Sequence, residues 1–499
     1  MGKPANIAPW AKSAHVLLGH VPAYLADPVK LLCEQRKLVG DVFRVDLLIL
    51  KITFVIGADW NRWLLAEVQE ANVSMYKAIS FFSCGLLSDP LKSPVWITHM
   101  LKALRVGLNG PTRLQEITTE CSKVALERFF PAWANRSKIP LFDSCSEILF
   151  DSHLTTFFGR RFADAHGLEI RSIYEATKVA LLNPCSRVLP WWASPSGIAL
   201  KRGSRRLTEI INAEVAERLQ DLDTCREASD YLSGLIIAND TEGYSENYRE
   251  HFELNKYNAH LAQSAYIALA QISIDNTCSW TLLHLLRNSD HLAAFEAEIR
   301  DSPPVDGIYP MKNMPFSEAC LWETGRLYNN FLIIRYAQHD IRTPSGLIIP
   351  KGWVAISPAA VQMDPELYEE PGKWNPSRFY CSSSNGAATK SDTENASNSL
   401  YATVSRNYQF VQFGGGKHVC SGEKLTHLLL RASLWPSLLD NYHLELVHDD
   451  LVNGEGVDGV GVAPDHARNL GAAPPSTREV HIKMTRREVP LSSFAVHVA

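Results

Sequence analysis

The stretch FVQFGGGKHVCSGEKLTHLLLRA, residues 410–432, decides how the rest of the chain reads. Three consecutive glycines, Gly414, Gly415 and Gly416, permit tight turns and close approach of the backbone to a flat ligand. Cys420 follows, then Ser421-Gly422, and from about Glu423 the apolar spacing predicts an amphipathic helix. A thiolate just ahead of a helix N-terminus meets the positive end of the helix dipole and free amide donors. Both stabilise an anionic sulfur, the form in which cysteine ligates a metal. Taken alone, the same residues also fit a glycine turn followed by a buried thiol.

The bulk composition narrows the surroundings of this loop. Over 499 residues, 46% are hydrophobic and 21% charged, an ordinary balance for a globular protein. The net charge of -5 gives no basic face or tail of the kind a nucleic-acid binder carries. The ten cysteines are scattered and include no CxxC pair, so cysteines other than Cys420 read as reduced, buried thiols. The first twenty residues hold only a short apolar run and lack the pattern of a signal peptide. The chain is therefore expected to be intracellular, either soluble or in peripheral contact with a membrane.

Length alone allows two to four domains. No repeat is visible, and no linker separates two cores, so residues 1–499 are read as one mostly helical domain with small sheets. Asp41 to Gly57, DVFRVDLLILKITFVIG, is rich in β-branched and aromatic residues and reads as a strand pair. Leu347 to Ser357, LIIPKGWVAIS, is sheet-like around a Pro-Lys-Gly turn. Most of Thr112 to Arg300 has helical spacing, and the stretch Ala259 to Arg300 turns amphipathic after Asn288. Residues 381–399, polar and low in complexity, and 453–477, rich in Gly, Ala and Pro, are expected to be flexible surface loops.

Phe413, Gly416, His418, Cys420 and Gly422 together resemble the cytochrome P450 haem-binding signature, F-x-x-G-x-[RH]-x-C-x-G, and every fixed position is matched. The resemblance implies that Cys420 ligates the iron of haem b, that Phe413 lies at the cofactor, and that His418 contacts a haem propionate. His418, where the family usually has Arg, is similar to the lanosterol demethylase branch.

Further motifs stand in the family's order. In FSEACLWETGRLYN, Glu323 and Arg326 share one face of an expected helix among apolar neighbours, and they resemble the E-x-x-R motif. GKWNPSRFY, from Gly372, resembles the meander that adds a second arginine, here Arg378, to the same cluster. Arg335 in FLIIRYAQHDI stands where the family places a propionate-binding Arg. Lys102 in HMLKALRVGLNG and Tyr76 in SMYKAIS resemble propionate-binding residues of lanosterol demethylases. The common W-x-x-x-R pattern is absent, because Met100 follows Trp96 at that distance.

The sequence departs from the family in the oxygen-activation helix, where A-G-x-[DE]-T is expected. One register aligns Asp275-Asn276 with the acid-alcohol pair; the other aligns Ile272-Ser273. The helix terminus at Arg287-Asn288-Ser289 favours the second by its distance. WTLLHLLRN, from Trp280, agrees and resembles the prostacyclin synthase and cholesterol hydroxylase branch. Ser273 is then the catalytic alcohol, and Ile272 replaces the acid.

The resemblance runs from about Asp41 to Leu446. It implies a mainly α fold with small β-sheets, the cytochrome P450 fold. The implied activity is monooxygenation of a hydrophobic small molecule, a terpenoid, sterol-like compound or polyketide of fungal secondary metabolism. Electrons would come from NADPH-cytochrome P450 reductase, in the cytoplasm or on the endoplasmic reticulum surface. Two other readings are open: a haem-thiolate isomerase or dehydratase that uses no NADPH, and a haem protein without turnover.

Overall fold

Burial of β-branched and aromatic side chains on both faces of a sheet organises the N-terminal part of the computed structural model. The structure describes residues 6–48, 50–69, 71–82, 111–182, 191–240, 259–329, 331–380, 405, 407–447, 462–465, 473–476 and 480–494. Its contacts divide the chain into two compact units. The first comprises Met1–Ala78, Pro315–Cys420 and Leu451–Thr477; the second comprises Ile79–Met314, Ser421–Asp450 and Arg478–Ala499.

In the first unit, the expected strand pair forms as Val42–Leu47 and Leu50–Val55, antiparallel with Val42 opposite Val55. The five-stranded sheet runs Val42–Leu47, Leu50–Val55, Gly352–Ile356, Ile333–Ala337, Val73–Ser74. Side chains alternate across it. Val42, Val55, Val354 and Ile356 pack with Trp63, Leu64 and Leu65. Phe43, Phe54 and Ala355 pack with Leu32, Ala360 and Val361. The stretch around Pro350-Lys351-Gly352 divides: Ile348–Ile349 pairs with Ile341–Arg342, and Gly352–Ile356 joins the large sheet. The turn thus hands the chain from one sheet to another.

The second unit is helical, with a three-stranded sheet of Ile139–Pro140, His481–Arg486 and Tyr442–Leu446. Leu141–Phe158 is buried around most of its circumference, the signature of an internal helix. It packs on the long helix Ala259–Arg287, with Phe142 edge-on to Trp280 at 5.2 Å. That helix ends at the expected place. Asn288 leaves the helical conformation, and its side chain accepts the N–H groups of Asp290 and His291, starting the helix Ser289–Asp301.

The helix after the cysteine loop begins at Glu423, with Gly422 as its N-cap residue. It widens over Leu428–Leu434 into π-helical turns ahead of Pro436. Proline has no N–H to give the carbonyl four residues back. That carbonyl, of Ala432, accepts the Tyr309 N–H instead at 3.0 Å. A similar widening over Ala125–Phe129 precedes Pro131. Among the described residues no helix is long and apolar enough to cross a membrane.

Candidate active site

The cysteine loop is a closed turn held from inside. The Cys420 N–H donates to the Phe413 carbonyl at 2.8 Å, and the Gly414 N–H to the Val411 carbonyl at 2.9 Å. Gly414 and Gly416 have φ of +77° and +63°, a region that favours glycine. At Gly416 a Cβ would also stand 2.0 Å from the Leu65 carbonyl oxygen, so any side chain there would displace the loop. Phe413 packs edge-on to Trp322, ring centres 5.8 Å apart, in a cluster with Phe379 and Phe410.

Exposure separates Cys420 from the other thiols. Cys420 is exposed, whereas Cys121, Cys145, Cys225, Cys278 and Cys320 are buried and Cys33 is half-buried. Burial pushes the Cys121 thiol up to about 12, which keeps it protonated and inert. Among the described cysteines, Cys420 is thus the exposed one.

The helix Pro315–Tyr328 fixes this loop. Its Gly325 lies close under the Gln412 side-chain amide, which a Cβ would meet at about 2 Å and have to push aside. The Asn329 side chain donates to the Gln412 carbonyl at 3.0 Å. The same helix carries Glu323 and Arg326, both 0% exposed. Arg326 donates to both Glu323 oxygens at 2.8 Å. Its remaining N–H groups reach the carbonyls of Gln362, Pro371 and Lys373. Arg378 adds a contact to Glu323 at 3.3 Å, and the Asn375 N–H another at 2.9 Å. Burial pushes the Glu323 carboxyl up, opposed by Arg326, the Asn375 N–H and Arg378. The motifs anticipate the three charged members. They do not anticipate the Asn375 amide or the Trp374 indole, which donates to the Thr324 hydroxyl at 2.9 Å. The Trp-Asn-Pro run in the sequence is the local signal for both.

The expected haem-binding residues of the first unit are distributed as follows. Arg335 lies within the strand Ile333–Ala337, is 6% exposed, and donates to its neighbour's carbonyl at Ile334. Tyr76, half-buried, is the second residue of the helix Met75–Phe82, which follows the strand Val73–Ser74, whose Ser74 pairs with Tyr336 next to Arg335. His418, half-buried, ends the short turn Gly416–His418. Lys102 lies outside the described residues, as does 381–399.

Ser273 belongs to the second unit. From Gln271 to Leu285, every described side chain is buried except Ser273, which is half-buried. Asn276, the alcohol's counterpart in the other register, is 4% exposed, and Asp275 is 1% exposed with its Oδ1 accepting the Asn276 N–H. The Thr277 hydroxyl donates to the Ser273 carbonyl at 2.9 Å, a back-bond that loosens a helix locally.

An accessible sulfur, a backbone held close by glycines, and cationic side chains for carboxylates form a donor set that suits thiolate-held haem. The cytochrome P450 family model matches residues 9–463, and the chain belongs to that family. It is 26% identical over 427 residues to Cytochrome P450 monooxygenase pyvB of Aspergillus violaceofuscus, covering 84% of this chain and 79% of that one. It is 24% identical over 462 residues to Sterol 14-demethylase of Arabidopsis thaliana, covering 89% and 87%. A solved structure described as retinoic acid bound cyanobacterial CYP120A1 superposes with a TM-score of 0.73 at 17% identity, covering 97% of this chain and all of that one. The chain has the cytochrome P450 fold, binds haem b through a cysteine thiolate, and is a monooxygenase that works with a redox partner on a hydrophobic substrate.

Proposed function

We propose that Cys420 is the cysteine whose thiolate holds the iron, with Phe413 beside the cofactor. The carrying observation is that this sulfur alone among the described cysteines is exposed, on a glycine loop locked by the Phe413 carbonyl. Haem so held supplies the activation of dioxygen. Cys420 keeps negative charge at the metal, and the Gly414–Gly416 turns let the backbone approach the ring. Arg335, His418, Tyr76 and Lys102 are read as propionate ligands, since charge-assisted hydrogen bonds to carboxylates are strong and directional. Arg335→Ala and His418→Ala are expected to lose haem faster than the parent protein to an apo-haem acceptor, with the thiolate spectrum kept in what remains loaded. Haem loss no faster than the parent's in both variants contradicts these roles.

Ser273 is read as the alcohol that organises proton delivery, which typically contributes about 10² to 10⁴ in rate. Its partial exposure within an otherwise buried stretch supports this register, and the burial of Asn276 speaks against the other. Ser273→Ala is expected to uncouple turnover, with NADPH consumed and more of it appearing as peroxide or water. Asn276→Ala is expected to do much less; the reverse order moves the motif to Asp275-Asn276.

The substrate is read as a terpenoid, sterol-like compound or polyketide of fungal secondary metabolism. The support is the likeness to an Aspergillus monooxygenase and a sterol demethylase, and the apolar composition of residues 261–270. The electron donor is read as NADPH-cytochrome P450 reductase at the endoplasmic reticulum surface. A panel of these compounds, scored first by a substrate-binding spectrum and then by NADPH-dependent product, tests this reading. Product from none of them, with product from a polar compound, overturns it.

Membrane contact is read at the turn His15–Gly19, closed by two backbone hydrogen bonds between its ends. It leaves Val16 and Leu17 at 96% and 78% exposure. Trp10, with the Arg44 guanidinium 4.1 Å from its ring centre, gives the aromatic-cationic pair common at lipid headgroups. Val16→Asp with Leu17→Asp is expected to weaken sedimentation with phosphatidylcholine–phosphatidylserine vesicles by about tenfold. Unchanged sedimentation contradicts it.

A further inference from the structure

The long helix Ala259–Arg287 buries polar side chains between Gln271 and Leu285, among them Gln271, Ser279 and Thr281 at 0% exposure. The hydroxyls of Thr277, Ser279 and Thr281 donate to carbonyls of their own helix, at Ser273, Asp275 and Thr277, so these bonds do not set its rotation. Gln271 reaches across to a neighbouring helix instead. Gln271 is 0% exposed, and both ends of its amide are engaged by the helix Leu141–Phe158. Its Oε1 is 2.8 Å from His153 Nδ1, and its Nε2 donates to the Ser146 carbonyl at 3.0 Å, with the Ser146 hydroxyl 3.4 Å away.

The donor pattern is fixed by chemistry. Nε2 donates to a carbonyl, so Oε1 is the acceptor and His153 Nδ1 carries a proton. Burial drives the His153 imidazole down to about 4, so at neutral pH it is uncharged and donates through that one nitrogen. An amide held at both ends tolerates neither a slide nor a rotation of the helix, because either leaves buried polar groups unpaired. Ser273 follows two residues later, about 200° around the axis on helical geometry. It is the half-buried side chain of an otherwise buried stretch.

We propose that Gln271, clamped by His153 and Ser146, is a positioning residue that sets the rotation of this helix and so determines where the Ser273 hydroxyl stands. This rests on the reading of Ser273 as the proton-organising alcohol.

The test uses reduced holoprotein with carbon monoxide as the probe, read by the infrared carbon–oxygen stretch, together with backbone hydrogen exchange over residues 271–277. Gln271→Met and His153→Phe cut the clamp from opposite sides, while His153→Asn keeps a donor for Gln271 Oε1 at the place of Nδ1 and leaves the bond to Ser146 intact. Ser273→Ala should shift the stretch. Gln271→Met and His153→Phe should shift or broaden it, His153→Asn should keep it at the parent position, and Gln271→Met should add nothing once Ser273 is alanine. Exchange over 271–277 should rise about tenfold in the two cut variants. A shift in Ser273→Ala with none in either cut variant overturns the clamp and leaves the Ser273 reading intact. No shift in Ser273→Ala overturns the Ser273 reading, and unchanged exchange in the cut variants then overturns the clamp as well. If the cut variants do not fold while His153→Asn gives the parent spectrum and exchange, the clamp stands. A perturbed His153→Asn overturns it.

Discussion

Glu323→Ala is expected to give almost no folded, haem-loaded protein. Glu323 and Arg326 are both 0% exposed, and Arg326 is committed on every side. Removing the carboxylate strands a buried guanidinium charge, while Arg378 and the Asn375 N–H lose their common acceptor. Breaking a buried pair from one side costs on the order of 3–5 kcal/mol, a large part of a domain's net stability. The loss also reaches the cysteine loop, since the helix bearing Glu323 seats Gln412 against Gly325. Glu323→Gln, which keeps an acceptor for Asn375, should fall between alanine and the parent. Arg326→Ala should resemble Glu323→Ala, because burial then pushes the Glu323 carboxyl up with only Arg378 and Asn375 to oppose it. The measurement is Soret absorbance per protein together with melting temperature. A soluble, haem-replete Glu323→Ala protein with merely slower turnover contradicts a structural role.

What the sequence made legible depended on how local each signal is. The strand pair at Val42–Val55 follows from neighbouring residues, as does the helix end at Asn288, whose capping side chain acts within three positions. Glu323, Arg326 and Arg378 were legible through motif order, although Arg378 is 55 residues from its partner. The split of Ile348–Ile356 between two sheets was not legible, because the choice of strand partner is tertiary. Nor was the Gln271–His153 contact, which joins residues 118 positions apart through no recognised motif. The widened turns before Pro131 and Pro436 had a visible cause in the prolines. Their compensation, the Tyr309 N–H at the Ala432 carbonyl, was not visible.

The assignment on which the other residue roles depend is Cys420. It is exposed, while the other described thiols are buried or half-buried, and burial pushes Cys121 up to about 12 and Cys278 well above its ordinary value. A buried thiol in that state neither reaches a cofactor nor gives up its proton to bind one. Cys121 and Cys278 can therefore not substitute when Cys420 is lost, and the expected effect is all or none. The substitution also leaves the protein's large buried cores untouched, so loss of signal does not follow from unfolding. The decisive measurement is the absorbance of the reduced, carbon monoxide-bound protein, taken on the parent and on Cys420→Ala and Cys420→Ser. The parent is expected to show the Soret band characteristic of thiolate ligation and both variants to lack it; an intact band in either variant contradicts Cys420 as the haem ligand.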